Sequence, residues 1–197
     1  MLKKNKFFIK VFLLLFFTVS ITTEIKALNI GKENAKIVVK VFSSLTCPHC
    51  ANFHTEIFNR LNDDFIKKNL LKFEHHAFPL DLAALNAEII VRCHENNNKS
   101  FQLLGEIYEK QNQWAVGSDI NYINDSIKKI GEKFGLSKNQ MEKCLKNDEV
   151  QDNILNERIE AQKKYKIQST PTIYINEKKY KGKHKYEEFK KEIEKLL

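Results

Sequence analysis

The sequence predicts an α/β fold with an inserted helical domain. Three observations lead there. Strand-like runs, rich in β-branched residues, lie near the two ends of the exported body and are missing from its middle. The middle, from Asp81 to about Lys166, is helical throughout. The flanks are β-α-β before that block and β-β-α after it, and the length suits one domain, or one domain with a second inserted into it. The boundaries follow: a leader over 1–27, a sheet domain built from 28–80 and 167–197, and an inserted helical domain over 81–166.

Each element has its own signal. Ile37 to Phe42 (IVVKVF) predicts a strand. Phe53, Ile57, Leu61 and Phe65 recur every four residues, which predicts an amphipathic helix from Cys50 to about Lys68. Leu70 to Phe78 predicts a second strand, stopped by Pro79. Asp81 is placed to cap the helix that carries Leu82, Leu85, Ile89 and Ile90. Helices are then expected at Phe101–Trp114, at Asp125–Phe134 (ended by Gly135), after Ser137 through Lys146, and at Val150–Lys166. Asn96-Asn97-Asn98 reads as a loop between helices. Thr172 to Ile175 predicts a strand. A turn at Asn176-Glu177, a short strand around Tyr180, a break at Gly182 and a closing helix from Tyr186 to Leu197 follow.

The first 27 residues read as an address. A basic head, Met1 to Lys10, precedes an apolar run, Val11 to Ile21. That is the secretory pattern, and the run is short for a comfortable membrane span. Ala27 is a fair last residue before a cleavage point, although Ile25 is bulky where a small side chain is expected. The segment is therefore either a removed signal peptide or an uncleaved anchor. Both readings export the body to an oxidising compartment.

Charge and composition exclude other classes. The 197 residues carry a net charge of +8, with 42% hydrophobic residues, enough for a sizeable core. Five of the lysines lie in the leader, leaving 28 cations against 24 acids in the body. Only three arginines are present, Arg60, Arg92 and Arg158, which argues against a nucleic-acid reader. Four cysteines are too few for a disulfide-built miniprotein.

Cys47-Pro48-His49-Cys50 lies between a strand and a helix. Two intervening residues let the sulfurs close a small disulfide ring. The helix start surrounds Cys47 with unpaired backbone N–H groups, which favour its thiolate. Pro48 suits a first helical turn because it has no N–H to leave unpaired. His49 can add positive charge or a hydrogen bond to the Cys47 sulfur. A thiolate stabilised in these ways is a good leaving group, and its disulfide is a strong oxidant. A zinc site would need two more ligands, and the sequence offers no second Cys-x-x-Cys, so no metal or cofactor is expected. A second signal is Ser169-Thr170-Pro171-Thr172, where a proline opens a strand.

Together these residues resemble the thioredoxin-fold superfamily, and within it the DsbA-type periplasmic disulfide oxidoreductases. The resemblance runs from Gly31-Lys32-Glu33-Asn34-Ala35 through Ser44-Leu45-Thr46 and Cys47-Pro48-His49-Cys50-Ala51-Asn52-Phe53-His54. It resumes at Phe78-Pro79-Leu80-Asp81 and ends with Thr170-Pro171-Thr172. It implies a thioredoxin-like fold with the helical insertion. It also implies an exposed reactive Cys47, a buried Cys50, and a cis peptide at Thr170-Pro171 packed against the sulfurs, where substrate backbone adds as a strand. Exposed apolar side chains around Cys47, with Leu45 as the candidate, would bind many client sequences weakly. Family members usually have an acid six positions before the first active-site cysteine. Val41 stands there, so the buried carboxylate is expected to be missing and the site biased towards oxidation. His75 and His76 are read as solvated or hydrogen-bonded strand ends without a chemical role, and His54, His94 and His184 likewise.

Cys93 and Cys144 remain. Extra cysteines in an exported protein often pair, and some α-proteobacterial relatives carry a second pair in the helical domain. A structural disulfide is expected, against the alternatives of two buried thiols or a second redox pair. The resulting expectation is an exported thiol oxidase acting on unfolded or reduced exported proteins in the periplasm. A membrane quinone-linked oxidase would reoxidise it. The rivals are a disulfide isomerase or reductase of the same fold, and a peptide-binding chaperone without redox chemistry. Isomerases of the superfamily usually add a dimerisation segment that this sequence does not show, so a monomer is expected.

Overall fold

The computed structural model describes residues 27–197. The leader reading falls on residues almost all outside that range. A five-stranded sheet is built from β1 (Leu28–Ile30), β2 (Ile37–Ser43), β3 (Leu71–Ala77), β4 (Thr172–Ile175) and β5 (Lys178–Lys179). The strand order is β1-β3-β2-β4-β5. β2 and β3 are parallel, joined by helix α1 over 48–66, and the other pairs are antiparallel. Six helices lie between β3 and β4: α2 (Leu82–Arg92), α3 (Asn97–Glu109), α4 (Gln111–Trp114), α5 (Ile120–Lys133), α6 (Lys138–Leu145) and α7 (Asp148–Tyr165). Helix α8 (Tyr186–Glu194) closes the described chain. This is the thioredoxin-like α/β fold with its helical insertion.

The two faces of the sheet follow from the period of two along a strand. Ile37, Val39 and Val41 of β2, and Leu71 and Phe73 of β3, join the large core with α1, α3 and α8. His75 has the same parity on β3. Phe42 and Tyr174 face the other way and pack with Phe78, Ala161 and Ile167. The large core also takes in Leu103, Leu104, Ile107, Ile127 and Met141 of the insertion. Sheet and insertion therefore share one apolar interior.

Helix α1 is not a uniform α-helix. Pro48–Asn52 and Asn59–Leu61 are α-helical, while Phe53–Phe58 and Asn62–Ile66 are wider π turns. A strict four-residue spacing explains this. On an ideal α-helix each such step drifts about 40° around the axis. Wider turns cancel the drift, and Phe53, Ile57, Leu61 and Phe65 are all buried.

Caps work as the sequence suggests. The Asp81 carboxylate accepts from the Ala84 N–H at 2.7 Å and the Ser137 hydroxyl from the Gln140 N–H at 3.2 Å. Gly135 ends α5 with φ 88°. Several boundaries differ from expectation. Asn96 is an N-cap and Asn97 and Asn98 begin α3, so the Asn run is a helix start rather than a loop. The expected helix at 101–114 is two helices, α3 and α4, divided at Lys110. α5 begins at Ile120 because Asp119 caps it, and α7 begins at Asp148 because Asn147 does. β5 ends just before Tyr180, and α8 stops at Glu194. β1 has only three residues and no alternation to read. Gly31 follows it at φ 104°, where a Cβ would run into the Leu71 carbonyl.

Candidate active site

Parallel pairing of β2 and β3 sends the chain out of Ser43 towards α1, and antiparallel pairing sets Thr172 opposite Phe42. The segment before β4 thus lies beside the segment before α1. Cys47 is the N-cap of α1 and Pro48 its first residue. The Thr170–Pro171 peptide is cis. The Cys47 thiol donates to the Thr170 carbonyl at 3.4 Å. The cis Thr170–Pro171 peptide thus lies beside the Cys47–Cys50 turn.

The two cysteines are free and sit in unlike surroundings. Cys47 is 8% exposed and Cys50 1%. Cys47 is the more accessible of the two, yet it is largely buried rather than open. Its thiol falls from an ordinary 9.0 to about 5. The hydrogen bond from the Cys50 thiol is the main cause. Burial opposes it, while the Thr170 side chain and the backbone N–H groups of Cys50 and His49 support it. Burial pushes the Cys50 thiol well above its ordinary range, with the Cys47 charge adding to the effect. The turn therefore holds one ready thiolate and one reluctant one.

His49 is exposed, and it acts on Cys47 through its backbone N–H. Leu45 is 1% exposed and belongs to the core, so it is not a client-binding side chain. It lies in the short turn between β2 and α1, packed into the large core. The exposed apolar groups on this side are Leu80, Leu82 and Val116, each at least half exposed. Leu82 lines a 470 Å³ groove with Thr46, Ala115, Gly117 and Ile120.

Several supporting residues carry no sequence signal. The Gln111 amide donates to the Leu45 carbonyl at 2.7 Å and the Cys47 carbonyl at 3.1 Å. It comes from the insertion, more than sixty positions away, and no motif marks it. Asp81 has a second role: it accepts from the Thr46 hydroxyl at 2.8 Å. The buried acid missing at Val41 has a counterpart in space. His75 lies across from Val41, is buried, and sets Nε2 3.1 and 3.2 Å from the two oxygens of Glu88. His75 is thus a hydrogen-bonded core residue and not a solvated strand end. Cys93 and Cys144 are joined as a disulfide, with Cα atoms 6.0 Å apart. Among the described residues no group of three or more His, Cys, Asp and Glu side chains is arranged to hold a metal ion.

A thioredoxin family model matches residues 23–195. This chain belongs to the thioredoxin family. A putative protein-disulfide oxidoreductase of Rickettsia bellii (strain RML369-C) is 31% identical over 148 residues, covering 75% of this chain and 56% of that protein. Disulfide bond formation protein D of Bacillus subtilis (strain 168) is 30% identical over 177 residues, covering 85% of this chain and 76% of that protein. The chain spans about half the length of the rickettsial relatives it matches. Among solved structures, alpha-DsbA1 of Wolbachia pipientis superposes with a TM-score of 0.79 at 24% identity, over 86% of this chain and 90% of that one. BdbD from Bacillus subtilis, oxidised, does so with a TM-score of 0.76 at 23% identity, over 86% and 92%. The thioredoxin fold of this chain is thus of the DsbA type. Among the described residues no helix is long and apolar enough to cross a membrane.

Proposed function

We propose that the chain is a thiol:disulfide oxidoreductase that donates the Cys47–Cys50 disulfide to reduced, unfolded exported proteins. The observation that carries this reading is the split between the two thiols: Cys47 held near 5, Cys50 pushed far above its ordinary value. A substrate thiolate attacks the Cys47 sulfur, and the electron pair of the S–S bond leaves on Cys50. The substrate's second thiolate then attacks the substrate sulfur of the mixed disulfide, and Cys47 departs as a stabilised anion. The substrate loses two electrons and the enzyme gains them. Substrate backbone adds beside Thr170, and Leu80, Leu82 and Val116 offer unspecific apolar contact.

In this reading residues 1–27 export the chain, the site faces the periplasm, the protein works as a monomer, and a quinone-linked membrane oxidase restores the disulfide. The names of the rickettsial and Bacillus relatives agree with disulfide chemistry. The test is the equilibrium of the Cys47–Cys50 couple with glutathione, beside the refolding of a reduced protein. A couple clearly more oxidising than thioredoxin, with disulfides appearing in the client, supports the reading. A thioredoxin-like potential assigns reduction or isomerisation instead. Activity that survives alkylation of Cys47 assigns a chaperone.

A further inference from the structure

Four segments meet at one end of the sheet, in the strand order β3-β2-β4-β5. β3 runs parallel to β2, so residues 78–81 leave beside the 44–47 turn. β4 is antiparallel to β2, so the cis Thr170–Pro171 peptide comes next. β5 is antiparallel to β4, and the Tyr180 N–H continues the pairing by donating to the Ile173 carbonyl at 2.8 Å. The chain therefore leaves β5 towards Pro171, and residues 181–185 take the outer place in the row. Ring contacts agree with the register. His184 stands edge-on to Phe53 of α1, three residues after Cys50, with centroids 6.4 Å apart. Burial and the charge of His49 hold His184 below its ordinary value.

The two flanks of this row differ in chemistry. On the β3 side Leu80 and Leu82 are exposed, and Asp81 between them is engaged by Thr46 and by the start of α2. On the β5 side Lys178, Lys179, Lys181, Lys183 and Lys185 are all exposed, and none forms an ion pair with another described residue. Of the acids nearby, Glu177 is paired with Lys40, Glu187 with Arg60 and Glu192 with Lys195. Glu188 remains, lining a groove with Lys178, Lys179 and Lys181. The loop is fixed in place. Tyr180 stacks on Phe189 at 4.1 Å, its hydroxyl donates to the Lys183 carbonyl at 2.8 Å, and a Cβ at Gly182 would lie 2.3 Å from that hydroxyl. Elsewhere a lysine sits one helical turn from an acid, as Lys67 does from Asp63. Here the fold gathers like charges that repel, and an incoming anion relieves the repulsion.

We propose that the lysines of the 181–185 loop select client segments that carry acidic residues beside the reacting cysteine. A client strand lying against Thr170 has Lys181, Lys183 and Lys185 along one flank, and Leu80 and Leu82 along the other. Carboxylates on the first flank are attracted at long range, which raises the rate of encounter more than the strength of the final contact. The lysines act before any bond changes. The sulfur exchange is the one already described, in which the client thiolate bonds to Cys47 and Cys50 leaves. An anionic lipid surface would attract the same charges. The loop stands at the same end of the sheet as Cys47, however, and a membrane seated there would cover the reacting sulfur.

This inference rests on the disulfide-exchange reading and names its substrate class. The oxidised full chain is reduced by short two-cysteine peptides rich in glutamate, and by the same peptides with glutamine in place of glutamate. Each rate is divided by the peptide's thiolate fraction and by the rate with dithiothreitol, an uncharged reference. The glutamate peptide is expected to react about tenfold faster in about 0.01 M salt, and the ratio to fall towards one in about 1 M salt. The combined Lys181→Gln, Lys183→Gln, Lys185→Gln variant should lose this preference, and the corresponding arginine variant should keep it. All three side chains are exposed, so neither variant opens the core. A wild type without the preference, or a glutamine variant that retains it, overturns the proposal. Loss of binding to phosphatidylglycerol vesicles by a glutamine variant that still prefers the glutamate peptide assigns the lysines to a membrane instead. The peptide assay reads a step common to oxidases, reductases and isomerases. A chain that prefers the glutamate peptide but does not oxidise reduced proteins keeps the acidic selection and loses only the oxidase reading.

Discussion

Cys47 and Cys50 lie three positions apart and are pushed in opposite directions, because one sits at the tip of α1 and the other in the core beneath it. That contrast makes stability depend on redox state and pH. The Cys47 value is lowered in the folded reduced protein, from 9.0 to about 5. Its contribution is therefore full above the unfolded value and declines as pH falls through the folded one. The oxidised protein has no such titration. Denaturant unfolding of both forms should show the reduced one gaining its largest advantage near pH 9 and losing it by pH 5. An advantage that does not vary with pH contradicts the thiolate. Gln111 belongs to this scale too. Gln111→Ala leaves the Leu45 carbonyl without its donor, while the Cys47 carbonyl keeps the Cys50 and Ala51 N–H groups, and is expected to cost about 1–2 kcal/mol and to slow disulfide exchange. Chemical denaturation and the dithiothreitol assay check both parts.

At the scale of elements, legibility followed locality. The strands around the site, the capping by Asp81 and Ser137, and the Cys-x-x-Cys turn were readable because each depends on neighbours in sequence. β1 was not, since its three residues become a strand only by pairing with β3. The periodicity of α1 showed its buried face but not its π turns, because spacing reports which residues must align and not how the backbone achieves it. Leu45 was misread as exposed, and for His75 the sequence left solvated and hydrogen-bonded alternatives open, because burial at both positions is set by elements that arrive much later in the chain. The same cross-element packing produces a pH window. Hydrogen bonding from His76 lowers Glu74 to about 2, so that contribution is lost as pH falls towards 2. Burial would lower His76, but Glu157 and Glu74 outweigh it and raise the value above 6.5. Its contribution is full below the unfolded value near 6.5 and declines as pH rises through the folded one. Thermal unfolding of the oxidised protein should therefore peak between about pH 4.5 and 6.5, and His76→Gln should remove the alkaline decline.

For the whole molecule, the shared interior decides how the insertion behaves. Residues of β2, β3 and α1 pack in one cluster with Leu103, Leu104, Ile127 and Met141, so sheet and insertion bury surface against each other. The Cys93–Cys144 bridge joins the end of α2 to α6, which both lie inside the insertion, and closes a span of 51 residues. On the chain-entropy account such a loop contributes about 4 kcal/mol, by limiting the unfolded chain. Because the core is continuous, that stabilisation should reach the sheet as well. A Cys93→Ala, Cys144→Ala double variant is expected to lose about 4 kcal/mol in one denaturant transition, seen equally by probes of the insertion and of the sheet. Its disulfide exchange at Cys47 should be retained, since neither cysteine touches the site. Two separated transitions would mean that the insertion unfolds alone and that the common core does not couple it to the sheet. Four titratable thiols in denatured, unreduced wild-type protein would remove the bridge itself.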